Sequence, residues 1–454
     1  MHVGVLAVFE QPEDASGDFP SRLAQRMREA TAPVAPWNLR LSRSRGASLS
    51  PRLEVVRNFD LDYHFRHSAL PGSGGERELG IVVSRLHSNA LDRNKPLWVF
   101  HLIEGLEGNR FAFYVKVHHA LVDAVNGIPM MLAMLSESAE RRAMLPLWMQ
   151  PLRGTAPGAD AASGEDDWSN AERAAAVGAQ RAPLASLGKA ALGLLRGAIK
   201  SGATGSFLRS GSTPHSTLNR RINAQRRVAT QSFEQARIER VAEATDSSLL
   251  DMLVYLCGSS LRRFFKEYNA LPDESLVALM PLSLQERGER LPGNAIAANR
   301  IAMATDIGDP LARLEAVKAS VEAVQEDRFS LPEEGATSYI LMRSAPVYAS
   351  QLRGVEHIVP PLYNLRVSHT LGATEPLFFE GARLQAVYPL SHLMQCNALS
   401  IGIVNYAGML NIGFTGARDT LPHLQRLAVY FGKALADLEE LVYVQDKHAA
   451  KVGQ

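Results

Sequence analysis

The feature that most constrains the fold is a break in composition. Pro151–Asn170 reads PLRGTAPGADAASGEDDWSN, rich in Gly, Ala, Pro and Asp, with no apolar spacing on which a helix or strand could build. It divides a chain of 454 residues into two stretches, each long enough to bury a core of its own. Both stretches mix strand-like and helix-like patterns, so neither a single helical bundle nor an all-β barrel fits. The expectation is a mixed α/β fold in two halves: residues 1–145, a linker with one amphipathic helix over 146–215, and residues 216–454.

Within the first stretch, Met1–Phe9 is a hydrophobic run that reaches Glu10 with no basic start, and reads as a strand rather than a signal peptide. Phe19–Ala30 has Leu23, Met27 and Ala30 at helical spacing, and Ile81–Asn89 and Ala120–Glu137 also read as helical. Trp98–Glu104 and Phe111–Val117 are strand-like and flank Gly105–Arg110, a hairpin turn. In the second stretch, Ala242–Tyr268 is a long helix broken at Gly258, and Pro310–Glu326 and Leu421–Val442 are helices. Leu276–Leu282, Ile296–Thr305, Tyr363–Ser368, Leu399–Tyr406 and Met409–Phe414 are strand-like, the last two joined by Ala407-Gly408. Between the halves, Pro183–Gly202 gathers Leu184, Leu187, Ala191, Leu194, Leu195 and Ala198 on one helical face. Lys189, Arg196 and Lys200 lie nearer the other. Such a helix suits either a lipid surface or a protein surface.

Charge and cysteine content exclude several functions. Lys plus Arg number 48 and Asp plus Glu 47, so no global field for nucleic acid exists. Two cysteines, Cys257 and Cys396, cannot form a disulfide framework, which points to a reducing, cytoplasmic setting. No run of about 18 uncharged apolar residues spans a membrane. P-loop, dinucleotide-binding glycine and G-x-S-x-G signatures are all missing from the sequence.

One segment carries chemistry. Tyr114–Ala124 reads YVKVHHALVDA, with His118 and His119 adjacent where an apolar strand ends. Successive strand residues point to opposite faces, so one histidine can reach a cleft while its neighbour packs behind it. Asp123 follows His119 at a spacing that shares one helical face. A neutral imidazole is the natural general base near pH 7. A structural histidine pair is the plain alternative, and a metal site lacks a third ligand nearby.

His118-His119-Ala120-Leu121-Val122-Asp123-Ala124 resembles the HHxxxDG motif of acyltransferases related to chloramphenicol acetyltransferase and condensation domains. Further stretches narrow the resemblance to the bacterial wax ester synthase/diacylglycerol acyltransferase family. Met1–Gly4 is similar to its MHVG strand, Pro96-Leu97-Trp98 to its PLW motif, and Pro281–Leu284 with Gly293-Asn294 to its PxS…GN segment. Pro376–Gly381 and Leu399–Gly408 resemble its C-terminal strands. The likeness runs in order along nearly the whole chain. Departures are Ala124 for the motif glycine, Leu250-Asp251 for an Asn-Asp pair, and Ser368–Ala373 for an SNVPGP-like stretch. Family members carry a segment ahead of the MHVG strand, which here stands first, so a truncated or misassigned start is the expectation.

The resemblance implies two chloramphenicol-acetyltransferase-like halves with a cleft or tunnel between them. It also implies transfer of a long-chain acyl group from acyl-CoA, as substrate, to a fatty alcohol or diacylglycerol, with no cofactor and no metal. It makes His119 the general base, His118 a supporting residue and Asp123 a carboxylate holding the turn. Pro96, Leu97 and Trp98 become candidates for lining the acyl channel, Trp98 being equally readable as a core aromatic. Asn294, Ser368 and Thr370 become candidates near the reacting carbonyl. Arg220 and Arg221, with Arg226-Arg227, form a basic cluster suited to the CoA phosphates or to plain solvation. The expected setting is cytoplasmic, with peripheral contact to the inner membrane or to lipid inclusions. Two other readings stand beside this one: a condensation-type acyltransferase acting on another hydroxyl or amine, and a lipid-binding homologue without activity, to which Ala124 and Leu250 point.

Overall fold

The computed structural model of the protein describes residues 2–15, 17–42, 53–119, 121, 127–151, 213–283, 296–329 and 361–452. The amphipathic stretch 183–202, Asp123, Ala124 and Asn294 lie outside these residues. In the first half, β1 (His2–Glu10) precedes α1 (Phe19–Glu29), the short pair β2 (Leu39–Leu41) and β3 (Leu53–Val55), and α2 (Leu61–His64). Then come β4 (Phe65–Ala69), α3 (Glu76–Ser88), the hairpin β5 (Trp98–Leu106) and β6 (Arg110–His118), and α4 (Gly127–Leu132). The second half holds β7 (Arg226–Glu234), α5 (Gln235–Ala244), α6 (Leu249–Glu267), β8 (Val277–Ser283), β9 (Ile296–Ala302) and α7 (Pro310–Phe329). It continues with β10 (Leu365–Leu371), β11 (Phe378–Phe379), β12 (Ala382–Leu390), β13 (Leu399–Tyr406), β14 (Met409–Ala417) and α8 (Leu424–Val452).

The strands form two mixed six-stranded sheets, ordered β11-β12-β1-β6-β5-β4 and β7-β14-β13-β10-β8-β9. The expected boundaries at 145 and 216 run along the chain, but the sheets do not: β11 and β12 follow β10 in sequence and join the first sheet. β12 pairs antiparallel with β1 from Gly4↔Leu390 to Glu10↔Arg383. The turn into β12 is built by Glu380 and Gly381, both at positive φ, with the buried Glu380 carboxylate paired to Arg26 at 2.8 Å. PLFFEG is therefore a tether that pins the crossing strand to α1.

Glycine lets β12 reach the second sheet. Gly402 and Gly413 are direct cross-strand partners on β13 and β14. A Cβ at either would collide with Pro389 of β12, through its ring carbon at 402 and its carbonyl oxygen at 413. The Gly-Gly pair thus makes a groove in one sheet that seats the backbone of a strand from the other. Pro389 lacks an N–H, which β12 tolerates because β11 reaches only Ala382 and Arg383 on its outer side.

A second junction joins the halves at β7, an edge strand of the second sheet. Its Val228 and Arg226 N–H groups donate to the hydroxyls of Ser84 and Ser88, at 2.9 and 2.8 Å. Those serines stand one turn apart on α3, so the helix of one half satisfies the open edge of the other. The long helix expected over Ala242–Tyr268 is two helices, and the break is not at Gly258. Ser248 accepts from the Asp251 N–H while Asp251 accepts from the Ser248 N–H, a capping box that restarts the chain as α6. Asp251, the acid of the departed Asn-Asp pair, is thus a helix cap. Gly258 lies mid-helix because the Met303 carbonyl crosses where a Cβ would stand.

Candidate active site

The two histidines of the motif end β6. Lys116, Tyr114 and Ala112 alternate with Val117, Val115 and Phe113, and the latter set packs into the core of the first half. His118 shares the Lys116 face, turned toward α3 and the second sheet. Its N–H donates to the Leu97 carbonyl at 2.8 Å and its carbonyl accepts from the Leu121 N–H at 2.9 Å, which turns the chain out of the strand. His119 lies in that turn. Both side chains are half-buried, so the expectation that one packs behind the other is corrected: the strand ends before alternation can send His119 into the core.

The ring of His119 stands against His392, with centroids 4.7 Å apart and planes 86° to each other. His392 lies two residues past the end of β12 and comes from the second half of the sequence. It is 6% exposed, and its Nε2 lies 3.1 Å from the Arg366 guanidinium on β10. Ser368 and Thr370 alternate with Val367 and so share the Arg366 face of β10. In register they adjoin Gly402 and Val404 of β13, on the side turned to the first half. These two candidates are therefore on the sheet face nearest the histidines.

More histidines surround the pair. His2 sits opposite His118 in the β1–β6 register. The His2 Nε2 lies 2.6 Å from the His87 carbonyl, and the His87 Nδ1 lies 2.8 Å from the Tyr114 hydroxyl. Gly4 leaves the space that the His87 and Tyr114 rings fill, which gives the MHVG strand its physical meaning. Lys116 is buried beneath them and donates to the Leu86 and Asn89 carbonyls, 2.7 Å each, at the C-terminal end of α3.

This environment favours neutral rings. Burial, with the Arg93 charge and the His119 ring adding to it, lowers the His118 pKa to about 4. Burial, then the Lys116 charge, brings His2 to about 4. Burial and the Arg366 guanidinium hold His392 well below the usual imidazole range. Burial likewise brings Lys116 down to about 8, with Arg66 contributing.

Other predicted site residues are placed differently. Pro96, Leu97 and Trp98 are buried, and Trp98 is fully so. Its ring stacks on His64 and Trp148, and its Nε1 donates to the Trp37 carbonyl at 2.8 Å. PLW thus forms core behind His118, and Leu97 anchors the end of β6. Arg220 and Arg221 are exposed, after a 3₁₀ turn (Thr217–Asn219) fixed by Asn219 to the carbonyls of Tyr363 and Cys396. Arg226 and Arg227 belong instead to β7. Sequence reasoning did not find His392, Arg366, His2 or His87. The His2 signal was the motif strand itself; His392 had none, because β12 was not foreseen. Among the described residues, no cluster of three or more His, Cys, Asp or Glu side chains could hold a metal ion, and no helix is long and apolar enough to cross a membrane.

Two mixed sheets joined by a crossing strand, with the histidine pair at their junction, form a fold of the chloramphenicol-acetyltransferase and condensation-domain type. The first condensation domain of the calcium-dependent antibiotic synthetase shares this fold at 15% identity, with a TM-score of 0.51 and coverage of 97% of this chain and 91% of that one. The wax ester synthase/diacylglycerol acyltransferase catalytic domain matches residues 1–253, and the corresponding C-terminal domain matches residues 292–439. A Mycobacterium tuberculosis protein that carries the name of a diacylglycerol O-acyltransferase is 37% identical, over 96% of this chain and 93% of its own length. The solved wax ester synthase/diacylglycerol acyltransferase from Marinobacter aquaeolei VT8 is 31% identical, with a TM-score of 0.77 and coverage of 97% and 95%. This chain belongs to the wax ester synthase/diacylglycerol acyltransferase family and is an acyl-CoA-dependent acyltransferase.

Proposed function

We propose that the protein transfers a long-chain acyl group from acyl-CoA to the hydroxyl of a fatty alcohol or diacylglycerol, with His119 as general base. The observation that carries this reading is the half-buried His119 ring at the junction of the two halves, set against His392 from the second half of the sequence. His119 takes the proton of the acceptor hydroxyl as its oxygen attacks the thioester carbonyl. The tetrahedral intermediate collapses, the C–S bond breaks, and the departing CoA thiolate takes the proton from His119. No cofactor or metal enters this scheme. His118, neutral across the physiological range, supports the turn, and Asp123 is assigned to holding it. Ser368, Thr370 and Asn294 are assigned to the neighbourhood of the reacting carbonyl, and Arg220 and Arg221 to the CoA phosphates. The Pro183–Gly202 stretch is assigned to peripheral contact with a membrane or lipid inclusion, where both substrates partition.

The test is release of CoA thiol from palmitoyl-CoA with hexadecanol or diacylglycerol, wild type beside His119→Ala. General-base catalysis is worth ~10²–10⁴-fold, and a loss of that size is expected in a variant with an unchanged melting temperature. A folded His119→Ala protein that retains turnover would sink the assignment. The acceptor that gives the faster release names the activity.

A further inference from the structure

We propose that His392 is a catalytic residue of this reaction: its Nδ1–H donates to the thioester carbonyl oxygen as that oxygen takes up negative charge. The proposal rests on the acyl-transfer reading above and supplies a donor that the reading leaves unassigned. A guanidinium only donates, so the 3.1 Å approach of Arg366 Nη1 to His392 Nε2 requires a lone pair on Nε2. In the neutral ring the proton then resides on Nδ1, and the contact with Arg366 fixes the tautomer. Among the described residues, His392 Nδ1 has no hydrogen-bond partner, although the side chain is more than nine-tenths buried. A buried N–H without an acceptor is costly, and a ligand that supplies the acceptor removes that cost.

Position says which ligand atom. The His392 ring is in contact with the His119 ring, at right angles to it. A carbonyl carbon attacked by a hydroxyl oxygen held at His119 therefore lies within one residue's reach of His392. As the carbon–oxygen bond forms, the carbonyl π pair moves onto oxygen, and the Nδ1–H···O bond strengthens without moving its proton. On collapse the pair returns and the thiolate leaves. Arg366 places a full positive charge behind the donor, which favours the anionic intermediate over the neutral thioester. Burial and that same charge keep the ring a neutral donor, so it does not compete with His119 for the acceptor's proton. Ser368 and Thr370 share the face, but their hydroxyls rotate, whereas this donor is fixed in place by its partner.

The experiment compares His392→Gln and His392→Asn with wild type in acceptor-dependent CoA release, alongside melting temperatures. The asparagine amide nitrogen overlays Nδ1; the glutamine amide reaches the Nε2 position instead. His392→Gln is expected to lose ~10²-fold in kcat, the usual cost of one oxyanion donor, with KM for palmitoyl-CoA changed less than about threefold. His392→Asn is expected to lose less than about tenfold. Wild-type kcat in folded His392→Gln, or equal losses in the two variants, overturns the proposal. If neither variant folds, Arg366→Met decides: freeing the tautomer is expected to lower kcat roughly tenfold at constant KM, and unchanged kcat overturns the proposal. An inactive His119→Ala beside a fully active His392→Gln defeats this inference alone, whereas no acceptor-dependent release from wild type defeats the underlying reading as well.

Discussion

Replacing Gly413 with alanine tests the junction on which the site depends. A Cβ at 413 would stand 2.1 Å from the Pro389 carbonyl oxygen, against about 3.3 Å for an ordinary carbon–oxygen approach. Something must therefore move by about an ångström. The obstacle is backbone, and β12 is held on its far side by the β1 ladder from Gly4↔Leu390 to Glu10↔Arg383, so the carbonyl cannot swing clear alone. Overpacking of this kind costs ~1–3 kcal/mol, and a rigid obstacle puts Gly413→Ala at the upper end. The lost glycine flexibility returns ~0.5–1 kcal/mol, leaving a net loss of about 2 kcal/mol. For a chain of this size that corresponds to a fall of about 2 °C in melting temperature by calorimetry. Two companion variants make the reasoning refutable as an order rather than a number. Gly402→Ala meets the Pro389 ring first, Cγ at 2.8 Å and Cβ at 3.1 Å, with the carbonyl oxygen further off at 3.2 Å, and a ring can pucker, so its loss is smaller. Gly80→Ala lies inside α3 with its nearest obstacle, the Val228 carbonyl, at 3.8 Å, and gains ~0.5–1 kcal/mol from helix propensity. The expected ranking is Gly80→Ala above wild type, then Gly402→Ala, then Gly413→Ala. A Gly413→Ala protein that melts within a degree of wild type refutes the argument that glycine is there to admit β12.

Two further predictions concern groups around the site. Lys116 holds its proton to about 8 when folded and to about 10.5 when unfolded, so between those values the unfolded chain binds more protons and stability rises with pH. Wild type should therefore gain up to ~3 kcal/mol relative to Lys116→Met from pH 8 to 10.5, and a stability gap that stays flat over that range contradicts the burial argument. Trp98→Phe loses the 2.8 Å hydrogen bond to the Trp37 carbonyl and part of the stack on Trp148, and is expected to destabilise by ~2–3 kcal/mol. Its relative kcat/KM for palmitoyl-CoA and shorter acyl-CoA substrates should stay unchanged; a shifted chain-length preference would return Trp98 to the channel wall.

What was legible in the sequence was local. The β5–β6 and β13–β14 hairpins read correctly because Gly108 with Asn109, and Ala407 with Gly408, adopt the positive φ that tight turns need. The helices α1 and α7 read correctly because apolar spacing and a proline near the start are local signals, whereas α3 was read only from Ile81, inside a helix that begins at Glu76. The restart at α6 was missed because the capping box Ser248–Asp251 lies inside an otherwise continuous apolar pattern, while the visible signal, Gly258, marks a close backbone approach rather than a break. β4, β7 and β12 were missed for a different reason. β7 begins with Arg226-Arg227 and reads as a charge run, and β12 carries Pro389; both earn their strand state from tertiary partners, the serines of α3 and the Gly402–Gly413 groove.

The site divides the same way. His118 and His119 announce themselves as neighbours in sequence at the end of a strand. His392 and Arg366 have no such signature, because what joins them to His119 is the passage of β12 out of the second half and into the first sheet. The leucine that ends β12 pairs with Gly4 of β1, and His392 comes two residues later, beside the strand end opposite His118. The crossing strand therefore does two things with one set of contacts: it closes the first sheet and sets a residue of the second half against the motif histidine. It follows that a variant at the groove, such as Gly413→Ala, should lower kcat by more than an equally destabilising change in the Trp98 cluster, since only the former moves His392 relative to His119. Equal kcat in two variants matched for melting temperature would mean that the junction holds the fold together but does not set the geometry of the reaction.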